Sequence, residues 1–283
     1  MQTAILRFLT FLREQRGSAD NTILAYRTDL QQMDQVVSRG ETEHIPPPAL
    51  DRQKLRRYVD WLGARGYRPA TVARKMAVVR SFLDYLENHE EGQSSDLILE
   101  LQSPPAPRRR PRVLSRDEVE RLLSAPAKRE SPRGLRDAAI LALLYVTGLR
   151  AADTVALRLD ELDLGEGVIR RAEWEGPVLK LGDSLKTLRR YVEEGRPQLS
   201  SNANEKALFL NQRGQSLSRQ GLWLVVKRWA QATGLGQDVS PYSLRHSLAN
   251  HMLTQGRTRR EVQELLGLSS PNVLRVGKEE PES

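Results

Sequence analysis

The chain has 283 residues, of which 39% are hydrophobic and 28% charged, a globular composition that excludes a disordered chain. Its 44 Lys and Arg outnumber 36 Asp and Glu, and the formal charge of +8 favours polyanionic partners. The absence of cysteine excludes disulfides and thiolate metal sites and suits a cytoplasmic setting. The longest apolar runs, such as Ala138 to Val146, are too short to cross a bilayer, and His44, His89, His246 and His251 lack metal-ligand spacing, so neither membrane nor metal is expected.

Apolar residues at helical spacing predict four helices in the first hundred residues. The first, over 2–16, carries Ile5, Phe8, Leu9 and Leu12 and stops before Gly17. The second, over 20–38, aligns Ile23, Leu24, Leu30, Met33 and Val37. The third, over 51–65, aligns Leu55, Tyr58, Val59 and Leu62. The fourth, over 69–88, opens with Pro69, turns Val72, Met76, Val79, Leu83 and Leu86 inward, and is expected to carry Arg74, Lys75 and Arg80 on its outer face. Those three cations suit either phosphate contact or plain solvation.

Residues 103–112, Ser-Pro-Pro-Ala-Pro-Arg-Arg-Arg-Pro-Arg, break the pattern. Proline extends such a stretch. Arg108, Arg109 and Arg110 make it a phosphate-seeking strap or a solvated spacer between a first domain over 1–102 and a second over 113–283.

The second half opens with Ser115 and Glu118 spaced as a capping box, predicting a helix to Leu123. The nearly continuous apolar segment over 133–147 predicts a helix buried on several sides and ending at Gly148. A short helix over 151–157 follows, then strands at 167–170 and 177–181 forming a hairpin, then helices at 183–195, 218–233, 242–255 and 258–267. The fold class is therefore mainly α with a small β-sheet.

Several phrases, in order along the chain, resemble those of tyrosine recombinases of the phage integrase family, particularly the bacterial Xer type. They are Asn21-Thr22-Ile23-Leu24-Ala25-Tyr26-Arg27-Thr28-Asp29-Leu30, Thr147-Gly148-Leu149-Arg150, Ser240-Pro241-Tyr242-Ser243-Leu244-Arg245-His246 and Val262-Gln263-Glu264-Leu265-Leu266-Gly267. The resemblance implies an N-terminal four-helix core-binding (SAM-like) domain and a C-terminal catalytic-type α+β domain. It also implies double-stranded DNA as partner and chemistry without cofactor or metal, in which a tyrosine attacks a phosphodiester and protein cations neutralise the charge that develops on phosphorus.

Arginine forks suit that task, being always charged and bidentate. The resemblance assigns phosphate contact to Arg150 and Arg245, with His246 beside them. The remaining chemistry is altered. Where the family places a lysine on the hairpin, the segment from Ala172 to Pro177 contains Glu173 and Glu175 and no lysine. Tyr242 stands at the family's first histidine and Leu268 at its second. Ten residues past Gly267, at the place of the nucleophile, stands Gly277, and no tyrosine follows Tyr242. The resemblance further implies a last helix beyond the tyrosine, which the expected truncated C-terminus leaves out.

The leading expectation is a catalytically inactive, DNA-clamping protein of the nucleoid, architectural, regulatory or accessory to an active tyrosine recombinase. Arg219, Lys227 and Arg228 on the helix over 218–233 would join the cations already named. An active recombinase borrowing a tyrosine from another subunit or from a non-standard position is the alternative, and a protein scaffold without DNA the third. Oligomeric state stays open.

Overall fold

The computed structural model describes residues 1–38, 50–89, 112–128, 130–170, 178–202 and 204–267. The chain divides into two compact units, Met1–Arg109 and Arg110–Ser283.

The first unit holds four helices among its described residues: α1 (Gln2–Glu14), α2 (Asp20–Val37), α3 (Arg52–Ala64) and α4 (Pro69–His89). Gly17, at φ 58°, reverses the chain between α1 and α2, a conformation that costs glycine little. Asp51 caps α3 by accepting from the Lys54 amide at 2.8 Å. The predicted stripes meet in one core, with Phe8, Leu30, Met33, Tyr58, Leu62, Val79, Phe82 and Leu83 nearly inaccessible; Leu24, expected in the second stripe, instead lies 60% exposed.

The second unit begins with α5 (Arg116–Ser124), started by the expected capping box between Ser115 and Glu118. The carboxyl of Glu118 is held below its ordinary range, first by the Ser115 amide it accepts from. The central helix is α6 (Pro132–Thr147), capped by Ser131 and closed by Gly148 in the left-handed conformation. It is buried nearly all round, as its apolar run required. Its two buried charges, Arg136 and Asp137, satisfy each other at 2.7 Å, and the Trp229 indole donates to the second Asp137 oxygen at 2.9 Å. A short α7 (Ala151–Ala156) follows, with Arg150 at its N-cap.

Next come β1 (Leu162–Asp163), β2 (Val168–Ile169) and β3 (Leu179–Lys180), an antiparallel sheet in the order β1-β2-β3 with Leu162 opposite Ile169 and Val168 opposite Lys180. The expected hairpin is thus part of a three-stranded sheet, β1 being a two-residue strand too short to carry an alternation signal. The helical stretch expected at 183–195 is α8 (Ser184–Arg190) followed by a π-helical turn over Tyr191–Gly195 and then α9 (Arg196–Leu199). The remaining helices are α10 (Arg219–Ala232), α11 (Pro241–Thr254) and α12 (Arg259–Leu266). Among the described residues no helix is long and apolar enough to cross a membrane.

Candidate phosphate-binding site

Three helix ends meet around two arginines. Gly148 ends α6 with φ 61°, which turns the chain so that Arg150 starts α7. Arg245 projects from the second turn of α11, a helix fixed by Pro241 in its first turn and by the reciprocal Ser240–Ser243 cap. Its guanidinium donates through Nη1 to the Gly148 carbonyl and through Nη2 to the Leu266 carbonyl at the end of α12. Arg150 Nη2 donates to the adjacent Gly267 carbonyl at 3.1 Å. The C-terminal carbonyls of α6 and α12 carry partial negative charge, so they are natural acceptors for both cations.

The two arginines differ in burial. Arg245 is 9% exposed, whereas Arg150 is exposed. Burial, and then the neighbouring Arg150, hold Arg245 below the usual guanidinium range, while Asp153 and Tyr242 act in the opposite sense. A buried cation beside another cation is an electrostatically hungry place, suited to an anion. The contacts are backed by packing. A Cβ on Gly148 would lie 2.4 Å from Leu266 Cδ2, so α12 sits directly on the glycine. Behind it, Leu248, Val262 and Leu266 form a small core with Tyr145, whose hydroxyl is 2.8 Å from His251 Nδ1.

His246 is half-buried, its ring stacked on Tyr242 at 6.1 Å, and burial lowers its pKa. Tyr242 is 52% exposed, and of the chain's seven tyrosines it alone is in the exposed class. Leu268, Gly277 and the segment 172–177 lie outside the described residues, as do Arg108, Arg109 and Arg110. Among the described residues no group of three His, Asp or Glu side chains gathers as a metal site.

The other expected contacts divide. On α10, Arg219 is exposed, Lys227 donates to the Gln237 carbonyl and lies 4.8 Å from the Trp223 ring centroid, and Arg228 faces Asp137 at 3.9 Å. Trp223 and Leu224 are exposed on the same helix, an apolar element the charge count did not reveal. On α4 the expectation of three outward cations needs correction. Lys75 is buried, because the Asp29 carboxylate on α2 draws its ammonium inward to 2.7 Å. Arg74 engages the same carboxylate while staying exposed, and Arg80 is half-buried. Asp29 enters the sequence pattern only as part of the Asn21–Leu30 phrase, and Asp153 is not singled out there at all. The only available signal for Asp153 was its place one helical turn after Arg150.

Comparison with known proteins identifies the family. The phage integrase family model matches residues 112–276, and that of the phage integrase N-terminal SAM-like domain matches residues 5–90. The chain belongs to the phage integrase family. It is 37% identical over 279 residues to tyrosine recombinase XerC of Herpetosiphon aurantiacus, covering 98% of this chain and 90% of that one. It is 38% identical over 273 residues to tyrosine recombinase XerD of Listeria monocytogenes, covering 94% and 90%. In fold it is similar to the XerH site-specific recombinase bound to its difH substrate, with TM-score 0.67, 20% identity and coverage of 95% and 80%. It is likewise similar to a lambda integrase dimer bound to a COC' core site, with TM-score 0.65, 16% identity and coverage of 100% and 99%.

Proposed function

We propose that this chain binds duplex DNA through its backbone phosphates and does not cut it. The observation that carries the reading is the junction of α6, α7, α11 and α12, where Arg150 stands exposed beside a buried Arg245. An exposed guanidinium beside a second, buried cation suits a phosphodiester, which accepts several charge-assisted hydrogen bonds. Relatives solved on DNA, the XerH and lambda integrase complexes, supply the precedent for duplex as the partner. In this reading the first unit, the strap at Arg108, Arg109 and Arg110, and the α10 cations add further phosphate contacts.

The loss of cutting rests on the sequence. Gly277 occupies the nucleophile's place, and glycine has no group to attack phosphorus. Leu268 cannot hydrogen-bond a phosphate oxygen, and the segment in which the family carries a lysine holds Glu173 and Glu175, charges of the wrong sign to neutralise a phosphate. The protein then serves as an architectural, site-blocking or accessory factor, beside an active recombinase at a shared site. Titration of a labelled duplex at two salt concentrations tests the binding. Affinity that falls steeply with salt is expected, and weak, salt-insensitive binding would reject it.

One observation favours a second reading. The exposed Tyr242 lies one helical turn before Arg245, so a non-standard phenol stands at the phosphate site. In-line attack demands closer placement than proximity, which places this behind the first reading.

A further inference from the structure

The contact between Asp29 and Arg74 couples a buried anion to an exposed cation. The Asp29 side chain is 2% exposed and that of Arg74 49%. Arg74 approaches through both terminal nitrogens, Nη1 to Oδ2 and Nη2 to Oδ1, the latter at 3.3 Å. Lys75, 6% exposed, reaches the same carboxylate from within at 2.7 Å, donates to Gln32 Oε1 at 2.6 Å and lies 5.4 Å from the Tyr67 ring centroid. The surroundings are buried. Tyr58 Oη is buried with no hydrogen-bond partner among the described residues, and its phenol is pushed up, first by burial and then by the charge on Asp29.

Lys75 already balances Asp29, so Arg74 is the surplus positive charge of the cluster, and it is the one at the surface. A carboxylate fixed in a low-dielectric core holds a guanidinium fork in one plane. Among the described residues the pairing commits Nη1 and Nη2 on one side and leaves Nε–H and further N–H groups to spare. An arginine ordered in advance gives up less side-chain freedom when it meets a phosphate.

We propose that Asp29 is a positioning residue for DNA contact by the first unit, pinning Arg74 as a preformed phosphate donor. The inference rests on the DNA-binding reading above. It makes a prediction opposite in sign to simple charge. If Asp29 only neutralised Arg74, removing it would strengthen binding to a polyanion; if Asp29 orients Arg74, removing it weakens binding.

The test uses the full chain, a labelled duplex and two salt concentrations, with thermal unfolding of each variant. The double variant D29L/K75M removes one negative and one positive buried charge, so the net charge stays the same, and apolar replacement of a buried pair is often tolerated. Arg74→Ala should lose roughly fivefold to tenfold in affinity and flatten the salt slope by about one unit. D29L/K75M should lose affinity to a similar extent while unfolding cooperatively. Undiminished or tighter binding by D29L/K75M overturns the proposal, as does wild-type affinity in Arg74→Ala. Should the double variant not fold, Arg74→Lys keeps the charge without the fork. A several-fold loss supports pinning, and unchanged affinity overturns it. Wild-type protein that ignores duplex defeats the underlying reading instead. Binding that Arg150→Ala weakens and Arg74→Ala leaves intact defeats this inference alone.

Discussion

Arg150 and Arg245 share one chemistry but differ in burial, and their substitutions should differ accordingly. Arg150→Ala removes an exposed fork, so affinity for duplexes of every sequence should fall together, the salt slope should drop by about one, and the melting temperature should hardly move. Arg245→Ala also unties the carbonyls of Gly148 and Leu266, so it should lower both affinity and thermal stability. Anisotropy titrations paired with thermal melts check both, and strongly sequence-dependent loss would contradict the assignment. His251 gives a pH prediction. Burial, then Arg116, hold its folded pKa below the ordinary value, while a backbone hydrogen bond at Leu114 pulls the other way. The unfolded chain therefore takes up the proton first as pH falls, so stability should be full above about pH 7 and decline below about pH 6.5. His251→Gln, which keeps an acceptor for Tyr145, should flatten that decline in melts run from pH 8 to 5. At this scale the positions of Arg150 and Arg245 were legible from the phrases around them, but their partners were not. Arg150 bonds a carbonyl 117 residues away and Arg245 one 97 residues away. Lys75 was misplaced for the same reason, since helical periodicity knows nothing of an aspartate 46 residues distant on another helix.

Among the elements, α12 is the one on which the site leans. It is only eight residues long, so its hold depends on its ends and on a small core. Gly148→Ala would force a side chain into a left-handed backbone and onto Leu266, and should destabilise the second unit by about 1–3 kcal/mol with a matching loss of duplex affinity. A Gly148→Ala protein with wild-type melting and binding would contradict that packing. At the other end, Thr258→Ala removes a hydroxyl that accepts from the Glu261 amide at 3.2 Å, at a cost of about 1 kcal/mol measurable by urea unfolding. Helices of this protein were legible because stripes, caps and glycine stops agree with one another, as Ser115 with Glu118 and Leu144 with Gly148 do. β1 was not legible because two residues carry no period, and the π turn at Tyr191–Gly195 was not because it continues the helical spacing around it.

On the scale of the whole molecule, the family is carried by both units, since one model matches 5–90 and the other 112–276. The architecture was thus legible in the sequence, while the use to which the fold is put depends on few positions. The cores of both units are intact, with Leu144, Tyr191, Phe209 and Leu244 inaccessible in the second and Phe82 and Leu83 in the first. Under the proposed reading four positions of the recombinase chemistry are altered, at Glu173, Tyr242, Leu268 and Gly277. In that reading, intact cores around altered chemistry suit a molecule retained for binding. The most direct measurement is incubation of the full chain with a nicked suicide duplex at saturating protein and low salt, the same sample being run on a native and a denaturing gel. Binding without cutting predicts a complete shift on the native gel and no protein-linked strand on the denaturing one. A covalent adduct, or an unshifted duplex, would contradict it.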